Sequence, residues 1–531
     1  MSKNLIALLL ILASLLGALG ELNGWLLPTL SWPFTVSRDI PFLNCSEKLA
    51  PFLAAEEQVN WFGWLCMGVL MFMGLYLLVR RTSSFRLPPE YARRVERFRK
   101  IKRGYWSLMT LGVIILLASL DQCLVGKRAL FVAYDGNWYC PALTRAVIPG
   151  NTFGLSGAEA HAEADYRILK ERVGQPGWPD VVIMPLVPYD PTMDVVRFPS
   201  ESLVWKDGLL YDADGDTLYN GLACRLYKDG QMHVRQRYRK GKPDGMGQGW
   251  LRNRSEVYTA TYKDGELQKE HYRGPKTVND FLALTKQGAE CKVYYHPAPP
   301  LTGGHLLGTN SQGSDILAYL YGGLQVNIKA ALLYLPVIYF IGLTMGMLMG
   351  YFGGKFDLVT QRLIEILSQL PFLFVVMIVS DFVPLQMRGL FLILSLLAMF
   401  GWMHMTYLVR TATMKEKTRD YVSAAKVMGA GTAHILLRHI LPNLRGIVVT
   451  LVPFSVAGVI LSLASLDYLG FGLPDSYASW GRLLNDGLSK LSSPWVVSSA
   501  FIALVGTLLI VTFIGESIRE ACDPRRHSYY E

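Results

Sequence analysis

The residues whose types and spacing carry a message lie between Asp420 and Asn443, DYVSAAKVMGAGTAHILLRHILPN, and the chemistry they suit is docking rather than bond breaking. Ala424 and Ala425 follow Tyr421 and Ser423, Gly429 comes four positions later, and Leu441-Pro442 opens the next apolar run. Asp420 is suited to cap a short helix, because its carboxylate can accept the orphan N–H groups of a first turn. Gly429 or Gly431 is expected to end that helix in a left-handed turn, which costs little without a Cβ. Pro442 fits the first turn of a following helix, where its missing N–H is no loss. Small residues on one face let another surface approach closely, so the stretch reads as a docking helix–turn–helix; the plainer alternative is an ordinary loop between membrane spans. No GxxxxGK[ST] phosphate loop, HExxH, GxSxG or paired-carboxylate constellation stands out elsewhere in the chain, so nothing in it reads as an ATPase or a hydrolase.

The elements that position this stretch are apolar. Hydrophobic residues make up 51% of 531 residues, which puts a polytopic membrane protein first. The net charge of +10 is concentrated: Arg80 to Arg103 holds ten Lys/Arg against two Asp/Glu. That segment separates two apolar runs, and positive charge in such short loops marks the cytoplasmic side; base-reading motifs are absent, so no nucleic acid partner is expected. Apolar runs at Leu5–Leu27, Trp61–Val79 and Tyr105–Val125 each suit a helix crossing roughly 30 Å of hydrocarbon. The first has the short basic start of a signal peptide but no convincing cleavage site, and it reads as an uncleaved span. Five more spans are expected near Val326–Gly350, Leu363–Phe382, Leu390–Val409, Ile447–Leu466 and Val496–Ile514. Eight spans put both termini in the cytoplasm.

Between Lys127 and Gln325 the chain is polar and nearly neutral, with 23 Lys/Arg against 22 Asp/Glu, and on this topology it is periplasmic. Asp-Gly turns recur at Asp207-Gly208, Asp229-Gly230, Asp244-Gly245 and Asp264-Gly265, each near strand-forming residues, which is a strong hairpin signal. Tyr219, Tyr227, Tyr238, Tyr258 and Tyr262 are expected as the core of these hairpins rather than as a ligand platform. Cys45, Cys140, Cys224 and Cys291 would lie outside, where a disulfide persists, and spacing assigns no pairing. At Leu307–Gly322, a tight turn leads into a helix capped by Ser314 or Asp315. Asp357 and Glu365 flank Arg362 at helical reach, a local ion-pair set ahead of Pro371. After the seventh run, Gly470, Gly472 and Pro474 break any helix, and Trp480 is placed to anchor at an interface.

Taken together, these motifs resemble those of ABC-importer permeases. The small-Ala-Ala-x3-Gly-x11-Leu-Pro spacing resembles their EAA loop, with Ser423 where the naming glutamate usually stands and His439 where isoleucine is usual. Gly308, Thr309, Gly313 and Asp315 resemble an LGTDxxGRD segment, and Asp357, Arg362, Glu365 and Pro371 follow the family's acid–Arg–acid–Pro order. Leu466–Leu484 resembles its outer-face motif. With Arg97-Phe98, Gly104-Tyr105-Trp106-Ser107-Leu108 and Tyr134-Asp135-Gly136, the likeness is greatest to the C subunit of peptide importers, in particular the Yej-type peptide and microcin C permeases. The resemblance covers Arg97–Gly136 and nearly everything from Leu307 to Pro524.

It implies an all-α polytopic membrane protein, a type I importer core of about eight spans, in the bacterial inner membrane. An inserted periplasmic domain contains β-hairpin repeats similar to MORN repeats. The expected division is 1–103 for two extra N-terminal spans and a basic loop, 104–126 for the first permease span, 127–325 for the periplasmic domain with hairpins at about 204–274, and 326–531 for the core with its loop at 420–443. Implied partners are a second permease subunit, two ATPase subunits holding ATP and Mg, a periplasmic substrate-binding protein and membrane lipid; this chain itself is expected to bind no cofactor or metal and to catalyse nothing. The competing classes are a membrane-anchored sensor and a secondary transporter, for which Asp381 and His404 are the deepest ionisable candidates.

Orientation is open to direct test. In a cysteine-free background, Ser255→Cys should react with a membrane-impermeant thiol reagent on intact spheroplasts, and Ser84→Cys should not. The reverse pattern would put the 420–443 loop on the wrong side of the membrane.

Overall fold

The computed structural model describes residues 3–38, 61–79, 89–155, 161–174, 177–194, 199–227, 232–251, 255–274, 277–282, 290–383 and 389–522. Its helices are α1 (Lys3–Leu22), α2 (Trp32–Arg38), α3 (Trp61–Val79), α4 (Pro89–Lys100), α5 (Lys102–Ser119), α6 (Tyr166–Glu171), α7 (Val278–Leu282), α8 (Ile316–Phe352), α9 (Gly354–Gln369), α10 (Phe372–Phe382), α11 (Leu390–Lys417), α12 (Asp420–Val427), α13 (Thr432–Tyr468), α14 (Trp480–Ser489) and α15 (Pro494–Cys522). Two compact units form: residues 1–192, 318–485 and 500–531, and residues 193–317 with 486–499.

The first unit is helical. Among the described residues, α8, α11, α13 and α15 are each long and apolar enough to cross a membrane, and α1 and α3 are shorter apolar helices. Two further pairs pass the same test only together: α4 with α5, bent by 96°, and α9 with α10, bent by 69°. The sequence reading expected one uninterrupted run at Leu363–Phe382. Instead Leu370 is extended, with ψ 123°, ahead of Pro371, because the proline ring disfavours helical backbone in the residue before it. Aliphatic side chains from α8, α10, α11 and α13, including Ile338, Val376, Leu397 and Leu463, form the largest buried cluster.

One seam within this unit allows unusually close approach. Gly342, Gly346 and Gly350 recur every four residues along one face of α8 and lie against Met405, Val409 and Thr413 of α11. A Cβ on Gly346 would sit 2.7 Å from Val409 Cβ and 2.8 Å from the Thr406 carbonyl oxygen; one on Gly350 would sit 2.6 Å from Thr413 Cβ. In lipid there is little hydrophobic drive for helices to associate, so backbone proximity of this kind supplies much of the attraction. The N-terminal helices use small residues similarly: Gly17 of α1 faces Met67 of α3, Gly74 of α3 faces Ile11, and Ser14 Oγ donates to the Met67 carbonyl at 2.8 Å. Phe34 of α2 is buried edge-on against Trp64. A small antiparallel sheet, ordered β2 (Asn137–Tyr139), β1 (Phe131–Tyr134), β3 (Val181–Ile183), closes over Phe153, Tyr166 and Leu169.

The second unit is a β structure. Strands β4 (Ser200–Ser202), β7 (Gly221–Leu226), β8 (Met232–Arg239), β9 (Lys242–Trp250), β10 (Glu256–Lys263), β11 (Glu266–Tyr272) and β12 (Cys291–Val293) make one sheet in the order β11-β10-β9-β8-β7-β12-β4. A separate hairpin pairs β5 (Val204–Lys206) with β6 (Leu209–Tyr211). The β5–β6 and β10–β11 turns are Asp207-Gly208 and Asp264-Gly265, with positive φ at both residues, as tight hairpins require. A third expected turn falls elsewhere. The β8–β9 reversal is at Lys240-Gly241, φ 49° and 74°, and Pro243-Asp244-Gly245 lie inside β9. An Asp-Gly pair marks a turn only where the ladder's register ends. The Asp229-Gly230 turn lies outside the described residues. Tyr219, Tyr227, Tyr238 and Tyr258 are buried and Tyr262 is half-buried, so this aromatic set is core. His233, fully buried between Tyr227 and Phe281, is pushed down to about 4, first by desolvation and then by Arg225.

Gly346→Leu should separate α8 from α11 at a cost of about 1–3 kcal/mol or more. Gly458→Leu, in the open part of α13 where no atom lies within 4 Å, is the matched control. Detergent-extracted yield and protease resistance should fall for the first variant and stay near wild type for the second.

Candidate functional site

The 420–443 stretch is a helix–turn–helix hung from α11. After Lys417 the chain turns and α12 begins at Asp420, but the Asp420 side chain makes no capping bond, contrary to expectation. Asp420 is the first residue inside the helix and Arg419 is the cap, so the carboxylate sits one position too late to reach back. The other end behaves as the sequence indicates. Gly429 has φ 83°, and the Ala430 N–H reaches the Ala425 carbonyl at 3.0 Å, a left-handed helix stop. Gly431, with φ −68°, instead precedes α13.

One side of the loop is built into the helical core and the other is presented outward. Val422, Ala425, Ile435, Leu436 and Ile440 are buried with Met347 of α8 and Met405 and Val409 of α11. Of the two small residues, Ala425 is therefore the inner one and Ala424 is exposed, as are Tyr421 and Ser423. Val427 is 89% exposed and Met428 80%, so the tip of the turn carries two large apolar side chains in the open. The Tyr421 hydroxyl donates to Glu416 at 2.5 Å and accepts from Asn443 Nδ2 at 2.7 Å, closing the loop's two arms. Lys426 and Lys417 lie 5.0 and 5.8 Å from the Tyr351 ring centre, tying α12 and the end of α11 to α8.

Leu441 and Pro442 stand in the first turn of the α-helical stretch Leu441–Tyr468, as expected, but that stretch continues α13 rather than starting after a loop. Residues Ile435–Ile440 form a π turn inside α13, and Pro442 follows it without a break in the helix. The wider turn accommodates a ring that would clash with the carbonyl four residues back in a regular helix.

Asp357 takes a different partner from the one the sequence indicated. Both its oxygens accept from Arg410 of α11, at 2.5 and 2.6 Å, while Arg362 pairs with Glu365 at 2.5 Å. Asp357 faces inward from α9, 5% exposed, and Arg362 faces out, so helical reach alone did not decide the pair. The bidentate bond fixes α9 against α11 two turns before the end of α11.

The remaining motif residues serve as local locks. In the second unit, Gly308 and Gly313 have φ 79° and 88°, and the Thr309 hydroxyl meets His296 Nδ1 at 2.7 Å and accepts from the Ala298 N–H at 2.8 Å. The Asp315 carboxylate pairs with His305 at 2.9 Å, and Asn310 Oδ1 accepts the N–H groups of Gln312 and Ser314. In the first unit, buried Asp467 accepts from the Leu473 N–H at 2.6 Å and from the Ser479 hydroxyl. Gly472 is required there because a Cβ would strike that carboxylate, and Gly470, φ 83°, turns the chain into it. Trp480 is not at an interface: it is 3% exposed, its indole N–H donates to the Leu320 carbonyl at 2.9 Å, and it fills the space left by Gly323. The sequence reading missed Arg410, Val427, Met428 and the Gly342–Gly346–Gly350 seam; only the last had a plain signal, the repeat every four residues.

Among the described residues, no group of three or more His, Cys, Asp or Glu could hold a metal ion. His404, one of the two deep ionisable candidates, is exposed on α11. A bundle of long apolar helices joined by a tight helical seam has the architecture of a membrane transport subunit. The chain belongs to the binding-protein-dependent transport system inner membrane component family, the ABC-importer permeases, whose pattern it matches over residues 342–528. It is 36% identical over 440 residues to the peptidoglycan transport system permease protein YejE of Agrobacterium fabrum, covering 82% of this chain and 94% of that one. Identity to the inner membrane ABC transporter permease protein YejE of Escherichia coli is 28% over 443 residues, 83% of this chain and 99% of that one. The oligopeptide transport system permease protein OppC of Haemophilus influenzae matches at 34% over 229 residues, 43% of this chain and 73% of that one.

Asp357→Ala should be more damaging than Arg362→Ala, because it leaves the half-buried Arg410 without its bidentate partner, a loss of about 1.5–3 kcal/mol for charged hydrogen bonds. Arg362→Ala removes only a surface pair and should change thermal stability by no more than about 0.5 kcal/mol. Melting of the purified variants gives the order directly.

Proposed function

We propose that this chain is one of two membrane-spanning subunits of an ATP-driven importer of peptides or peptide-like compounds. The observation that carries the reading is the 420–443 loop: its inner face is anchored by Val422, Ala425 and Ile440, and its tip exposes Val427 and Met428. An ATPase surface that receives this tip would bury two apolar side chains that otherwise face water, and motion there would pass into α11 and α13 as rigid bodies. Two ATPase subunits bind ATP and Mg outside this chain, a second permease subunit completes the pathway, and a periplasmic protein delivers substrate. The substrate class rests on the names of the relatives, which include peptidoglycan and oligopeptide transport system permeases.

In this reading α1, α3, α5, α8, α11, α13 and α15 cross the membrane singly, with the basic α4 on the cytoplasmic side, and the α9–α10 pair crosses once. That makes eight spans with both termini cytoplasmic and residues 127–325 outside. The periplasmic module, with hairpins over about 204–274 similar to MORN repeats, is accessory to the translocation path. Tyr421, Ser423, Ala424, Ala425, Gly429, Leu441 and Pro442 form the ATPase-docking element. Gly308, Thr309, Gly313, Asp315, Asp357, Arg362, Glu365, Pro371, Gly470 and Gly472 shape the permease frame around it.

Val427→Asp with Met428→Asp should leave membrane insertion unchanged and abolish co-purification of the ATPase subunits together with peptide uptake. Gly429→Val should have the same effect by resisting the positive φ of the turn. Full uptake by either variant complex would overturn the docking role.

A further inference from the structure

Two cysteines of the β unit oppose each other on a single rung of its main sheet. Cys224 in β7 and Cys291 in β12 are Cα partners in antiparallel register. They are 1% and 9% exposed and share a small apolar cluster with Val293, Leu226 and Met232. Directly opposed residues of an antiparallel pair have Cα atoms about 4.5–5.5 Å apart, inside the span of about 4.4–6.8 Å that disulfides adopt. The register therefore places the two backbones at a separation that suits a bridge. The Cys291 thiol already reaches across the gap, with Sγ donating to the Cys224 carbonyl at 2.9 Å. Cys140, by contrast, is exposed.

We propose that Cys224 and Cys291 are joined by a disulfide in the folded protein, an inference that rests on residues 127–325 lying outside the cytoplasm. Two thiols lose two protons and two electrons as the S–S bond forms; the electrons reduce the disulfide of an extracytoplasmic thiol–disulfide oxidant to its dithiol. Exchange proceeds through a mixed disulfide, which the second cysteine resolves as a thiolate. In the folded sheet burial pushes the Cys224 thiol up to about 12 and the Cys291 thiol to about 11, so thiolate is scarce there. The bond accordingly forms while the sheet assembles and is protected from exchange once buried.

The bridge has a structural task. β12 is only three residues long; β4 pairs with it along one edge, but on the other it meets β7 at just two register pairs, Cys291 with Cys224 and Lys292 with Ala223. From β12 the chain runs through the Gly308–Asp315 turn into α8. A covalent tie between residues 67 positions apart fixes the register of this last strand and removes the freedom of a long loop from the unfolded chain.

The test uses the full-length protein in membranes from cells, denatured in N-ethylmaleimide without reductant and digested for mass spectrometry. The expected result is a linked peptide pair containing Cys224 and Cys291 in most molecules, converted to two alkylated peptides by prior dithiothreitol. Cys224→Ala should abolish the linked pair and leave Cys291 fully alkylated without reductant. Free, alkylated Cys224 and Cys291 in the unreduced natural protein would overturn the proposal, as would a bridge from either to Cys140. A Ser255→Cys chain treated in parallel with an impermeant reagent separates the two ways of failing. Labelling at position 255 with both native thiols free sinks the disulfide alone, whereas no labelling there with both thiols free sinks the outside placement and the disulfide with it.

Discussion

The seam between α8 and α11 is the constraint on which the helical unit depends. Three glycines spaced by four bring the two backbones close enough for Thr406 and Arg410 carbonyl oxygens to approach the α8 backbone directly. Dispersion and weak polar contacts accumulate along such a seam where the hydrophobic effect cannot help. The consequence is positional. α11 leads into the 420–443 loop and α8 carries Tyr351 at its end, one residue before Phe352, where it receives Lys417 and Lys426, so the seam sets the distance between the loop and the ring that steadies it. The Asp357–Arg410 bond, one residue beyond Val409 of the seam, extends the same rigid body to α9.

Rigidity is continued past the loop by different means. α12 is stopped by a left-handed glycine rather than by a flexible connection, and α13 starts three residues after Gly429 and runs through a π turn to Tyr468. A π turn adds one residue without breaking the helix, so the buried face of Ile435, Leu436 and Ile440 is rotated onto the α11 core while Leu437 stays exposed. At the far end of α13, the Asp467 carboxylate gathers the Leu473 N–H and the Ser479 hydroxyl into one turn. The loop is thus continuous with whole helices on both sides rather than joined to them by flexible links.

The β unit solves a separate problem with separate rules. Its sheet is assembled from sequence-adjacent hairpins from β7 to β11, and only β12 and β4 are brought in from a distance. Buried tyrosines and Phe281 supply its core, and the Tyr238 hydroxyl, the Trp205 indole and Arg225 all converge on buried Glu290. That convergence satisfies a carboxylate which would be costly to bury alone.

How much of this was legible beforehand follows the range of the interactions. Apolar runs, the basic Arg80–Arg103 segment, the Gly429 helix stop and two of the Asp-Gly turns depend on properties of a few consecutive residues, so the sequence by itself determined them. The family resemblance was legible for the same reason, since its motifs are short and keep their order. What only the tertiary structure decided involves choice among partners at a distance. Asp357 had Arg362 within helical reach and took Arg410, because the inward face of α9 meets α11; Trp480 had the character of an interfacial anchor and was buried, because Gly323 left room for it on α8. The Lys240-Gly241 turn displaced Asp244-Gly245 because strand register, set by neighbouring strands, outweighs local turn preference. Exposure of Val427 and Met428 belongs here too: Val422 and Ala425 of the same short helix are buried, and only the orientation of α12 on the bundle separates the face that packs inward from the face left open.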